Sequence, residues 1–447
     1  MSRKHRLLVA VVLLLVVAGG FVWGTFWKLV QDDPPLSLDD LRVVRRQIPD
    51  ERNGWTYFER AAQKLQWPES EDETEKIDEI CKEKSWDPVF VETLLSRNQD
   101  ALADLERGLA CEASQCAVNL ESKSVIEADE ILTARPELNM KLSHLLVFQF
   151  LAFQHADKIG PAVRKLVEEV RFGHLQETSG ISLVESMFGI SIKMDGLSRL
   201  RSLLAENRVA TEDLRSQNEA LGGYPFGFSE SLKTEFWLFA NTVDGYNSGK
   251  YVSEALKKRG VPAVPKPLFL TIALKPNRTK LISATHARAA IHQATHHHME
   301  QFVWPSGSER FQDLGLYIHA IIDKSRFNPG KYDNILGNIL LATLGSIKVG
   351  KVKCRANVSL GATRLLMALR CYKNETGLLP DLLDPLVPAY ISSLPLDDFD
   401  GKPLRYSRQK GILWSVGQDG VDSGGSSLAK EKWEKDETEP TYEIPFK

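Results

Sequence analysis

Five of the ten histidines fall within thirteen residues: His286, His292, His296, His297 and His298. His292, His296 and Glu300 follow i, i+4, i+8, which on a helix puts two imidazoles and a carboxylate on one face. That donor set suits zinc or another transition metal. It is not the H-E-x-x-H arrangement, because Gln293, Ala294 and Thr295 follow the first histidine. An exposed polar helix face is the plainer reading of the same residues. Asp381 with Asp384, and Asp397 with Asp398, have the composition of general acid–base pairs. As solvated turn carboxylates they need no such role. The sequence has no G-x-S-x-G elbow, no phosphate loop and no G-x-G-x-x-G. A non-catalytic protein is therefore expected, with an envelope metalloenzyme built on His292, His296 and Glu300 as the rival.

The five cysteines are Cys81, Cys111, Cys116, Cys354 and Cys371, so at least one is unpaired in an oxidising space. A local Cys111–Cys116 bridge, or one from Cys81, is open. Cys354 and Cys371 fall on one helical run about 25 Å apart, which rules out a bond between them.

These groups must be positioned mainly by helices. Apolar residues recur at i, i+3, i+4, i+7 in 161–176, where Val163, Leu166, Val167 and Val170 share a face. Similar patterns cover 88–109, 124–132, 140–158, 182–205, 211–221, 229–243, 254–259, 276–301 and 308–325. Leu38 to Leu65 is also helical in period, broken at Asn53-Gly54. Residues 68–83 are acidic and expected at the surface, and 268–274 are ambiguous between strand and helix. Helix pairs joined by short turns suggest stacked hairpins. One long helix is expected over 334–374, followed by a Pro- and Gly-punctuated segment with two short strands, Leu404–Ser407 and Ile412–Val416. The fold class is mainly α, with a small C-terminal α+β unit.

The strongest single signal is at the start. Leu7 to Trp27 is 21 residues without a charge, long enough for a hydrocarbon core of about 30 Å. Arg3, Lys4 and Arg6 precede it, and Asp32 and Asp33 follow it, which places the N-terminus in the cytoplasm. A cleaved signal peptide is the competing reading, but the apolar run outlasts a usual signal core. The lipid bilayer is thus an expected partner through residues 7–30, and the bulk is expected in the periplasm of a bacterial inner membrane. Among 447 residues, 56 Lys+Arg and 59 Asp+Glu give a net charge of −3, which leaves no basic field for nucleic acid. Apolar residues make up 43%, as in ordinary globular chains rather than low-complexity ones.

An ordered series of motifs marks the C-terminal region. A helix carrying Leu366, Ala368, Leu369, Arg370 and Tyr372 leads to Gly377-Leu378-Leu379-Pro380, then Leu386-Val387-Pro388 with Tyr390, and Leu394-Pro395-Leu396-Asp397. Gly401-Lys402-Pro403-Leu404-Arg405-Tyr406 and 415–425 (SVGQDGVDSGG) complete it. Residues 360–425 resemble the C-terminal part of the type II secretion major pseudopilin. They also resemble the tail of uncharacterised membrane-anchored proteins common in planctomycetes. The resemblance implies a calcium loop with Asp419 and Asp422 as ligands, helped by the Val416 carbonyl and Ser423. It departs from pseudopilins at the head of the apolar run, where Arg6-Leu7-Leu8-Val9-Ala10 replaces the processing site.

Four regions follow: a cytoplasmic tip and anchor over 1–30, an exported helical body over 31–330, a pseudopilin-like unit over 331–427, and a charged, frayed tail over 428–447. The function expected is an envelope interaction or scaffold protein with unidentified envelope partners. The alternative is a component or accessory of a type II secretion or pilus-like system.

Overall fold

Short polar side chains start the helices of the body. In the computed structural model, which describes residues 30–35, 37–205, 209–258, 273–303, 334–343, 349–425 and 439–446, Asn53 caps α1 (Gly54–Lys64) by accepting from Trp55 N. Ser70 caps α2 (Glu71–Cys81), and Asp87 caps α3 (Pro88–Arg97), which has proline where no N–H is needed. α4 (Gln99–Ala110) follows. Ser124 and Glu127 form a reciprocal capping box on α5 (Val125–His155). α6 (Ile159–Glu177) and α7 (Leu183–Leu204) form the next hairpin, with Ser182 capping the second. α8 (Thr211–Gly222), α9 (Ser229–Asn247), α10 (Lys250–Lys258) and α11 (Pro276–Thr295) continue the body.

α12 (Ile335–Thr343) and α13 (Val349–Thr376) lead to the C-terminal sheet. Its strands are β1 (Arg405–Ser407), β2 (Ile412–Trp414) and β3 (Thr441–Glu443), antiparallel in that order. Arg405 faces Trp414, and Trp414 faces Thr441. The expected hairpin is therefore present. The tail read as frayed instead contributes β3, because Leu413 and Ile444 bury their side chains in the common core.

One continuous hydrophobic cluster runs from Phe58 through α5, α6 and α7 to α13, Leu413 and Phe446. α13 packs on α7 and α8, so the C-terminal unit shares its core with the body. The tightest helix pair is α6 with α7, and glycines make it so. A Cβ on Gly189 would lie 2.6 Å from Gly173 O, and one on Gly173 would lie 2.7 Å from Lys193 Cγ. Interior helical glycine is unfavourable by roughly 1 kcal/mol against alanine, and here the close approach requires it.

Several sequence expectations change. Residues 68–83 keep most of their acids at the surface, but they form a helix with one buried face. α2 buries Ile77, Ile80 and Cys81, an i, i+3, i+4 set that the surrounding acids masked. Val125–His155 is one helix where two were expected, because burial of Leu142, Leu145, Leu146 and Phe148 against α6 and α7 outweighs the backbone hydrogen bond lost at Pro136. Residues 42–49 are irregular rather than helical. Their backbone is held by side chains instead: Val43 N donates to Glu121 (2.7 Å), Val44 N to Glu230 (2.8 Å) and Arg46 N to Gln115 (3.0 Å). The apolar run 7–29, the expected helix at 308–325 and most of 268–274 lie outside the described residues. Among the described residues, no helix is long and apolar enough to cross a membrane.

Candidate functional site

The α6–α7 crossing brings two opposite charges together in the dry interior. Lys193 Nζ donates to Glu177 Oε2 at 2.6 Å, and both side chains are fully buried. Lys193 also reaches Pro225 O at 3.3 Å and lies 3.4 Å above the Phe226 ring. Gly227 N donates to the second Glu177 oxygen at 2.6 Å. Burial pushes the lysine down to about 8 and holds the Glu177 carboxyl above the usual range. A lysine depressed to that range has the pKa of a nucleophile or base. Here its nitrogen is closed in by glutamate, carbonyl and ring, so what it does is fasten α6 to α7.

The pair belongs to a polar seam along α5, α6 and α7. Asn139 Nδ2 donates to Glu185 (2.5 Å) and to Gln176 Oε1 (3.1 Å). Ser143 donates to Glu169 at 3.2 Å. Arg135 sits 3.5 Å from Glu185 and 3.4 Å over the Trp55 ring. Burial raises the Glu169 carboxyl well above its usual range. Sequence reasoning missed this seam. The available signal was the set of charges at buried helical spacing, with Glu169, Glu177, Glu185 and Lys193 beside interior glycines.

A cleft of about 410 Å³ opens beside the seam. Its wall includes Arg45 and Arg46 of the irregular segment before α1, Ser114, His174, Glu177, Ser179 and the start of α9. His174 is pushed down to about 3 by burial first, then by Lys193 and Arg171, so its imidazole stays neutral. Its Nδ1, with Ser114 Oγ and Ser179 Oγ, is a buried polar atom without a hydrogen-bond partner.

The histidine cluster does not lie on one helix face. α11 ends at Thr295, and His296 is already extended, with φ −118° and ψ 166°. The chain leaves the helix because His298 N donates to Asp398 O (2.9 Å), Met299 N to Phe399 O (3.1 Å) and Lys353 Nζ to His296 O (2.8 Å). His292 and His296 stack at 4.1 Å between ring centroids, and Glu300 approaches His296 at 3.9 Å and His297 at 3.8 Å. These residues join the body to the C-terminal unit.

The loop expected to hold calcium is already occupied by protein groups. Asp422 Oδ1 accepts from Trp414 Nε1 (2.9 Å) and Gly424 N (3.0 Å), and its Oδ2 lies 3.6 Å from Arg405. Asp419 accepts from Val421 N at 3.0 Å, Ser423 N donates to Glu439, and Val416 N donates to Asp397 at 2.9 Å. A calcium ion at this loop would compete with these protein donors for the Asp422 carboxylate. The Arg405 guanidinium puts a positive charge beside Asp422. No group of three or more His, Cys, Asp or Glu placed to hold a metal occurs among the described residues. All five cysteines are free thiols and buried, so neither bridge considered for Cys81, Cys111 and Cys116 forms.

Asp397, read from sequence as a solvated turn carboxylate, is fully buried. It accepts from Phe399 N (3.1 Å), Ser415 Oγ (2.8 Å), Val416 N (2.9 Å) and Arg405 (2.9 Å). It ties the loop after α13 to both sides of the hairpin. Asp398 pairs with Lys353 at 2.8 Å and accepts from Asn357 at 2.7 Å.

The final cluster lies where the apolar run ends. Asp32 caps the start of α11, accepting from Asn277 N (2.7 Å) and Arg278 N (3.2 Å). Asp33 pairs with Arg278 at 3.2 Å, and its carbonyl accepts from Asn277 Nδ2 at 2.8 Å. The class defined by these elements is a mainly helical protein with a small three-stranded antiparallel sheet. No family model, no curated protein and no solved structure matches this chain.

Proposed function

We propose that this chain is a non-catalytic, membrane-anchored envelope protein that holds a rigid helical platform close to the bilayer. The observation that carries this reading is the clamp of Asp32 and Asp33 on α11, five residues after the apolar run ends at Trp27. A flexible stalk would leave the body free to swing. This stalk is fastened within one helix terminus, through a charged cap that suits the α11 dipole. The anchor runs through residues 7–30, the N-terminus is cytoplasmic and the body lies in the periplasm.

The buried charges support a scaffold rather than catalysis, since Lys193 is spent on Glu177 in the body and Arg405 on Asp397 in the C-terminal unit. The C-terminal unit is read as pseudopilin-like, supported by a long helix, an Asp397-centred loop and a β-hairpin in the expected order. That order favours a role beside a secretion or pilus-like system as the second reading. The test is a reporter fused after Ser37 together with alkaline extraction of membranes. Activity of a periplasm-only reporter and retention in the membrane pellet support the anchor. A cytosolic signal removes it. Crosslinked capture of secretion components from intact membranes selects the second reading.

A further inference from the structure

We infer that the end of the body formed by α10 and the start of α11 rests on anionic lipid headgroups, which rests on the anchor reading above. The clamp decides which end of the body faces the bilayer. Five residues separate Trp27 from Asp32, a reach of at most about 18 Å. The α11 N-terminus therefore lies near the membrane surface.

α9 brings a second element to that end. It runs antiparallel to α11, with Lys280 on Asp244 (2.9 Å), Val243 clustered with Ile282, and Ala240 with Ala284. The C-terminus of α9 thus reaches the N-terminus of α11, and α10 follows directly. α10 reads KYVSEALKK, three lysines against one glutamate. Its Tyr251 is buried and packs edge-on to Tyr246 at 5.2 Å, which seats the helix. Lys250 pairs with Glu127, Lys280 with Asp244 and Arg278 with Asp33. Lys257 and Lys258 are exposed, and no ion pair of theirs forms among the described residues. Two lysines without an ion pair among the described residues, with Glu254 as the one acid beside them, therefore lie on the helix that starts at this end of the body.

Two lysines alone bind an anionic surface weakly. The anchor changes this by making the contact intramolecular, so a weak attraction acts at high effective concentration. The contact is screened by salt over about 10 Å at 0.1 M.

The test uses the full chain in nanodiscs of phosphatidylcholine alone or with phosphatidylglycerol, read by hydrogen exchange over 250–258. The expected result is at least threefold slower exchange with phosphatidylglycerol, lost in 0.5 M NaCl and lost in Lys257→Gln/Lys258→Gln. Both lysines are exposed, so that variant keeps the fold, checked by an unchanged melting temperature. Equal exchange in the two lipids, or protection that survives salt or the double variant, overturns the inference while leaving the anchor intact. Failure of the chain to enter nanodiscs overturns both.

Discussion

Asp33 and Arg278 meet at 3.2 Å although 245 positions separate them in the chain. With the neighbouring Asp32 cap, this contact turns the residues after the apolar run into part of α11. Asp32→Ala removes acceptors from two backbone N–H groups at a helix start, a loss of about 1 kcal/mol. Urea denaturation of the full chain in detergent is expected to show that loss, with little further change on adding Asp33→Ala, because a part-exposed pair is worth little. A further loss as large as the first on adding Asp33→Ala would show that the Asp33–Arg278 contact carries more than a part-exposed ion pair does.

The Lys193–Glu177 pair predicts an asymmetry. Lys193→Met leaves a buried carboxylate unpaired and is expected to destabilise by about 3–5 kcal/mol. Lys193→Met with Glu177→Gln removes both charges and keeps an acceptor for Gly227 N. The double variant is expected to recover most of the loss in the same denaturation assay. A double variant as unstable as the single would mean that packing, rather than charge, dominates at this crossing.

His174 sets a pH dependence. Its folded pKa of about 3 lies below the unfolded value of 6.5. Between those limits the unfolded chain binds a proton that the folded chain refuses. Stability from this group is complete above pH 6.5 and falls as pH drops towards 3, by up to about 1.4 kcal/mol per unit. His174→Gln is expected to flatten that part of the stability curve, measured by urea midpoints from pH 7 to pH 4. An identical slope in the variant would remove His174 from the account.

In the C-terminal unit, Asp397→Asn weakens four hydrogen bonds and leaves Arg405 without one of its carboxylates. A loss of about 3 kcal/mol is expected, with faster proteolysis within 397–425. Calcium at millimolar concentration is expected to leave the melting temperature unchanged, because Trp414, Gly424 and Arg405 already engage Asp422. A calcium-induced rise would show that Asp422 leaves these partners for the ion.

The elements that were legible in sequence owe this to local signals. Ser182 before an apolar-periodic run set the start of α7, and the turn between two short β-rich runs set β1 and β2. α2 was hidden because its three buried apolar residues stand among acids that satisfy solvent as readily as a helix face. The end of α11 at Thr295 was hidden for a different reason. Residues 296–299 continue the helical pattern, but the backbone N–H groups of His298 and Met299 go to Asp398 and Phe399, about a hundred residues later in the chain.

The sequence by itself determined the apolar run, the helical body and the order of the C-terminal motifs, because each depends on residues close together in the chain. Only the tertiary structure decided which charges are buried. Lys193 and Asp397 look like any surface lysine or turn aspartate until Gly173, Gly189 and the β-hairpin close around them. Burial is a property of neighbours that arrive from distant positions, and that property converts an ordinary charge into a fastening.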